Sequence, residues 1–162
     1  MTLLRTIATL AFLALAGQAF AQAQVNLGGL SVDGDAPVEV AADSLTVDQA
    51  SGEAVFEGNV VIEQGNLRLS AQRVEVVYGE DVGEITRFRA FGGVVIVTEA
   101  EEAEAQEADY DIANGLLRLS GEVLLKQGAS AIAAERMVIN VETGAAQMDG
   151  RVRTTFGGQG GN

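Results

Sequence analysis

One strand-like octet is written twice in this chain, as GNVVIEQG from Gly58 to Gly65 and as GEVLLKQG from Gly121 to Gly128. A weaker copy, GGVVIVTE, starts at Gly92, and a faint one, GRVRTTF, at Gly150, so the starts lie 34, 29 and 29 residues apart. At a shift of 63, Gly52-Glu-Ala-Val-Phe-Glu-Gly58 aligns with Gly115-Leu-Leu-Arg-Leu-Ser-Gly121, and Ala71-Gln72-Arg73-Val74 with Ala134-Glu135-Arg136-Met137. Upstream, Ala42-Asp43 matches Ala108-Asp109 once a three-residue gap is opened. A recurrence of this kind marks a repeat architecture, in which each unit is too small to bury its own apolar face and stacked units share one core.

The pattern inside each unit sets which side faces in. Val38–Ala41, Leu45–Val47, Val55–Ile62, Leu67–Ala71 and Val74–Tyr78 alternate with period two and are rich in β-branched residues, and Gly or Asx turn signals separate them. No segment keeps a 3.6 period. Glu99–Ala108 (EAEEAEAQEA) holds strong helix formers but lies between strands, and is expected to be an exposed strand and turn. Phe56, Val60 and Ile62 share one parity, as do Phe88, Val94 and Ile96, and Leu117, Leu119, Val123 and Leu125. Leu69, Ile132 and Ile139 extend the same inward set. The glycine between Phe56 and Val60 falls on the inward parity, where a residue without a side chain lets a strand bend or bulge. The expected fold class is therefore all-β: stacked bent strands forming a folded-over sheet around an apolar trough, open at both ends. Aromatic residues make up only 5% of the chain, so medium and small side chains line that trough. The alternatives are a packed sandwich core and a lining with room for acyl chains.

The two ends of the chain read differently. Arg5, the apolar run Thr6–Gly17 and Ala19-Phe20-Ala21 have the order of a secretory signal peptide, with cleavage expected after Ala21. The apolar run is short for a helix crossing a bilayer core of about 30 Å, though an uncleaved anchor is the other reading. Loss of Arg5 moves the formal charge from −13 to −14, which disfavours nucleic acid as partner. Residues 22–37 and 157–162 are expected to be flexible and to cap neither end of the stack. The end segments, Val38 to Val47 and the strands near Val138 to Val152, would then be free to pair with another chain. Cysteine and histidine are both absent, which removes the usual nucleophile–histidine pairs and most transition-metal sites. No cofactor, metal or catalytic residue is expected.

Ala42-Asp43-Ser44-Leu45, Gly58–Gly65, Ala71-Gln72-Arg73, Ala108-Asp109-Tyr110-Asp111, Gly121-Glu122-Val123 and Ala134-Glu135-Arg136, in this order and with this period, resemble the OstA-like (LptA) family of periplasmic lipopolysaccharide-transport bridge proteins. The resemblance covers residues 38–156. It implies a twisted β-jellyroll in the periplasm, with the acyl chains of lipid A held in an apolar groove during passage from inner to outer membrane. Phe56, Val60, Ile62, Leu69, Phe88, Val94, Ile96, Leu117, Leu119, Val123, Leu125, Ile132 and Ile139 would line that groove. It also implies head-to-tail joining by strand addition, to further copies and to related jellyroll domains of inner-membrane and outer-membrane components.

Other constellations are weaker. Arg87 and Arg89, like Arg151 and Arg153, occupy alternate strand positions that suit lipid A phosphates, or else screen the many carboxylates nearby. The acidic run Glu99–Asp111 supplies oxygen ligands of the kind Ca²⁺ takes but lacks the spacing of a Ca²⁺ loop, and reads as a solvated face. No carboxylate spacing selects a glycosidase pair. A structural repeat module of the cell envelope, with a packed interior, is the second function class.

Overall fold

The computed structural model describes residues 25–26, 36–81 and 84–157. The expected signal segment 1–21 and the end of the Gly-rich tail lie outside the described residues. Eleven strands follow in chain order: β1 (Val25–Asn26), β2 (Val38–Ala41), β3 (Ser44–Asp48), β4 (Glu53–Gln64), β5 (Leu67–Tyr78), β6 (Ile85–Val97), β7 (Glu101–Asp111), β8 (Leu116–Gln127), β9 (Ser130–Asn140), β10 (Ala145–Asp149) and β11 (Arg153–Thr155). They form one antiparallel sheet in the order β1-β10-β9-β8-β7-β6-β5-β4-β2, with β3 also on β4 and β11 also on β9. β2 and β3 are thus two arms of one broken rung, pairing with the two halves of β4. β10 and β11 are the matching broken rung on β9. The result is eight rungs, all but two of them a single bent strand.

The bends have one cause. Every ladder from β4–β5 to β8–β9 shifts register at mid-strand, as between Glu57 and Val60 or between Ser120 and Val123. Alternate rungs carry a glycine there with positive φ: Gly58 at 80°, Gly92 at 84°, Gly121 at 80° and Gly150 at 81°. The rungs between carry an alanine followed by a polar residue: Ala42-Asp43, Ala71-Gln72, Ala105-Gln106 and Ala134-Glu135. The polar side chain lies over the glycine of the next rung. A Cβ on Gly92 or Gly121 would come within 2.8 Å of Gln72 or Gln106, and one on Gly150 within 2.5 Å of Glu135; Gly58 abuts Asp43 in the same way. Asp43 and Glu135 also donate their backbone N–H to the carbonyls of Gly58 and Gly150, both at 2.9 Å. Only glycine fits both the left-handed backbone and the close approach. From Ala42 to Val74 the 63-residue repeat is therefore gapless: the partner of Ala42-Asp43 is Ala105-Gln106, not Ala108-Asp109.

The corner divides the sheet into two leaves that fold over one core. The first leaf holds β3, β10 and residues 53–57, 73–78, 85–91, 107–111, 116–120 and 136–140; the second holds β2, β11 and the other halves. Ala54, Val74, Val76, Ala90, Ala108, Leu117, Leu119, Met137 and Ile139 of the first leaf and Val60, Ile62, Ala71, Val94, Ile96, Ala103, Ala105, Val123 and Leu125 of the second form one buried cluster. The outer face of the first leaf is a lattice of ion pairs. Arg73 meets Glu57 and Glu75, Arg89 meets Glu75 at 2.9 Å, and Arg87 meets Asp109 at 2.8 Å. Such half-exposed pairs contribute about 0–1 kcal/mol each.

Three expectations change. Glu99 and Ala100 form the expected exposed turn, but the strand that follows is not exposed: the alanines of β7 are its core face, and Glu101 turns inward at 3% exposure. Alanine has no distinctive strand signal, and here its small volume fits between the larger neighbours of β6 and β8. The N-terminal segment places β1 on the outer edge of β10, Val25 opposite Ala146 and Asn26 opposite Ala145. The C-terminal end of the stack is β10 with β11, so Val138, within β9, is an interior-rung residue rather than an end one.

Candidate functional site

All thirteen predicted groove residues point between the leaves, but the structure splits them. Ile62, Leu69, Phe88, Ile96 and Leu117 line a cavity together with Val38, Gln64, Leu67, Val74, Ala90, Ala108, Tyr110 and Val141. Val60, Val94, Leu119, Val123, Leu125 and Ile139 are buried in the packed cluster, and Phe56 and Ile132 pack against it half-buried. The interior therefore has room around β4–β8 and closes where Leu119, Leu125, Met137 and Ile139 meet. Alanines 90 and 108, opposite each other on β6 and β7, leave the space that larger residues fill further along.

The cavity holds about 90 Å³, less than the roughly 150 Å³ of an apolar cavity that admits benzene. Its lining is apolar apart from Gln64 and the Tyr110 hydroxyl. Gln64 donates to the Ala36 carbonyl at 3.1 Å, and burial, followed by the Glu142 charge, raises the Tyr110 pKa. Such a wall offers apolar contact without fixed polar anchors, which suits hydrocarbon of variable length. At the rim of the second leaf Gln127 donates to Glu101 Oε1 at 2.6 Å, and Thr98 closes the β6–β7 turn by accepting the Glu101 N–H at 3.2 Å. Sequence reasoning missed both Glu101 and the corner residues Gln72, Gln106 and Glu135. Glu101 gave no usable signal inside an acidic run. The corner residues were signalled by their recurrence directly after alanine.

The four arginines proposed for phosphate do not form one cluster. Arg87 and Arg89 lie on the outer face of β6, while Arg151 and Arg153 lie at the far end of the stack. Arg87 pairs with Asp109, Arg89 with Glu75 and, at 3.6 Å, Glu53, and Arg151 with Glu135 at 2.7 Å. In the acidic run Lys126 bridges Glu102 at 2.8 Å and Glu104 at 2.5 Å. That lysine's hydrogen bond, and then its charge, lowers the Glu102 pKa.

The second feature is the pair of unfinished rungs. Val60, Val94 and Val123 each sit two residues past a corner glycine and are 0%, 1% and 2% exposed, whereas Val152, two past Gly150, is 47% exposed. Val38, Val40, Leu45 and Val47 of β2 and β3 and Phe156 beyond β11 are likewise exposed. These residues continue the inward parity of the stack, and among the described residues no further rung covers them.

Known proteins place this architecture. The profile of the LptA/(LptD N-terminal domain) LPS transport protein family matches residues 39–145. An uncharacterized protein of Rhizobium meliloti (strain 1021) is 28% identical over 86% of this chain and 81% of its own length. The lipopolysaccharide export system protein LptA of Escherichia coli (strain K12) is 25% identical over 68% of this chain and 63% of its own length. That of Haemophilus influenzae is 28% identical over 64% of each chain. Among solved structures, LptH, the LptA homologous periplasmic component of the lipopolysaccharide transport device of Pseudomonas aeruginosa, superposes with a TM-score of 0.69 at 17% identity, covering 76% of this chain and 96% of that one. The eight-rung folded sheet is thus the LptA-like β-jellyroll, and the chain belongs to the LptA/LptD N-terminal domain family of lipopolysaccharide transport proteins.

Proposed function

We propose that this protein is a periplasmic segment of a lipopolysaccharide bridge from inner to outer membrane, holding lipid A acyl chains between its leaves and joining like domains end to end. The observation that carries the reading is the exposure of Val152 beside the burial of Val60, Val94 and Val123. At the three internal junctions the residue two past the glycine faces the corner alanine of the next rung: Val60 faces Ala71, Val94 faces Ala105 and Val123 faces Ala134. The same rule sets Val152 opposite Ala42 of a following copy. Strand direction fits, since β10–β11 runs from first leaf to second and β2–β3 runs back. Glycine-type and alanine-type rungs also keep alternating across the joint. The added rung would cover Val152 and Phe156 on one copy and Val38, Val40, Leu45 and Val47 on the next, and would make the inter-leaf space continuous.

A photo-crosslinking side chain placed at Phe88 or Leu69 is expected to capture lipopolysaccharide in intact cells, and one at Glu63 on the outer face is not. Equal capture from both faces, or none from within, would overturn the groove. The packing of Leu119, Leu125, Met137 and Ile139 favours a second reading, a scaffold module with a dry interior, and the same experiment separates the two. For the arginines we propose a contact with phosphate only where a phosphate displaces the paired carboxylate. Arg153, for which no ion pair is seen among the described residues, is the first to test.

A further inference from the structure

β1 occupies the backbone positions that the joint would need. The internal ladders fix what a following rung does on the first leaf. Ala54 faces Val76, Phe88 faces Tyr110 and Leu117 faces Ile139; one step further out Glu53 faces Val77, Arg87 faces Asp111 and Leu116 faces Asn140. Counted from Gly150 and Ala42, these pairs become Ala146 with Val47, and Ala145 with Asp48, of the next copy. In the single chain Ala146 and Ala145 are already paired, with Val25 and Asn26, antiparallel. The two occupants even match in sequence, Val25-Asn26 for Val47-Asp48. The second leaf of the same rung, β11, has no such cover among the described residues, where its one neighbour is β9.

We propose that β1 is an internal plug of the assembly edge, a short stand-in for Val47-Asp48 that a following copy displaces as it docks. The proposal rests on the end-to-end reading above. Docking starts on the second leaf, where Val152 and Phe156 are uncovered, and is completed on the first leaf by exchange of β1 for β3. The plug satisfies the edge backbone in the isolated protein, a protection that free sheet edges need. Being only two residues long, it is cheap to displace.

The test uses the protein recovered from the periplasm and a Val25→Pro/Asn26→Pro variant, which removes both strand N–H groups. Sedimentation over a range of concentrations reads the self-association constant. The variant is expected to associate about tenfold more tightly or better, since no strand has to leave first. Hydrogen exchange at Ala145–Ala146 in the dilute protein is expected to speed up in the variant, which shows that the plug has been released. Unchanged or weaker association in a folded variant with released Ala145–Ala146 would overturn the plug. Val152→Asp tells the two levels apart. If it abolishes association while the proline variant leaves it unchanged, the joint stands and the plug falls. If no form associates at any concentration, the joint itself falls and the plug with it.

Discussion

Replacing Gly92 with alanine should cost about twice what the same change costs at Gly93 beside it. Both residues have positive φ, 84° and 77°, so both alanines incur the left-handed penalty of about 1–2 kcal/mol. They differ in space. A Cβ on Gly92 would lie 2.8 Å from Cβ of Gln72, whereas one on Gly93 meets nothing within 4 Å. The clash involves a Cβ fixed to the neighbouring backbone, so the corner itself must shift, at a further cost of about 1–3 kcal/mol for overpacking. Gly92→Ala should therefore lose about 2–5 kcal/mol, a large share of the roughly 5–15 kcal/mol that holds a typical domain. The other corners show which side chains the second position accepts: Asn59, Glu122 and Arg151 stand there at φ 47°, 51° and 46°. Gly93→Asn should accordingly stay within about 0.5 kcal/mol of the parent. Urea unfolding followed by circular dichroism measures all three. Equal losses for Gly92→Ala and Gly93→Ala would refute the contact as the reason for the glycine.

Ile62→Asp and Leu125→Asp should part company: Ile62 borders the cavity at 8% exposure and Leu125 is packed at 1%. The first should fold with reduced lipopolysaccharide binding. The second should unfold, because its charge meets only apolar surface, and thermal melts with a lipid-binding assay read both. Asp48 accepts the Ala50 N–H at 2.8 Å and Asp111 accepts the Asn114 amide at 2.9 Å, so hydrogen bonding holds both carboxyls below the usual 3.8. Their stabilisation is present above that value and lost as pH falls through the lowered folded value. The stability gap between the parent and Asp48→Asn or Asp111→Asn should hence shrink from pH 6 to pH 3, and a widening gap would contradict the sign. Val152→Asp should leave the melt of the dilute protein nearly unchanged, because Val152 is exposed there, and should weaken self-association at least tenfold by sedimentation.

Much of this was legible from spacing. The bend at Gly58 followed from its parity between Phe56 and Val60, and the inward set followed from alternation, because a two-residue period leaves only two faces to choose between. The reason for the glycines was not legible, since it lies in a side chain one rung away: Asp43 is 15 residues from Gly58, and Gln72 is 20 from Gly92. β7 misled because alanine and glutamate carry little strand preference, and its inward face is set by the neighbours it pairs with. β1 was hidden because two residues cannot show a period. The cavity also escaped the pattern. Alternation says that Phe88 and Leu119 both face in, but only the volumes of Ala90 and Ala108 decide which of them borders space.

The register across the joint is the most direct measurement of the central claim. The chain has no cysteine, so Ala42→Cys with Val152→Cys places the only two thiols where successive copies should meet face to face. Directly opposed strand residues have Cβ atoms about 4.5–5.5 Å apart, and diagonal ones about 7–8 Å. Val40→Cys with Val152→Cys, two residues off register, is the control. Mild oxidation should yield a ladder of dimers, trimers and longer chains on a non-reducing gel from the first pair and monomer from the second. A ladder from the control pair alone, or none from either, would contradict a bridge built by continuing the sheet.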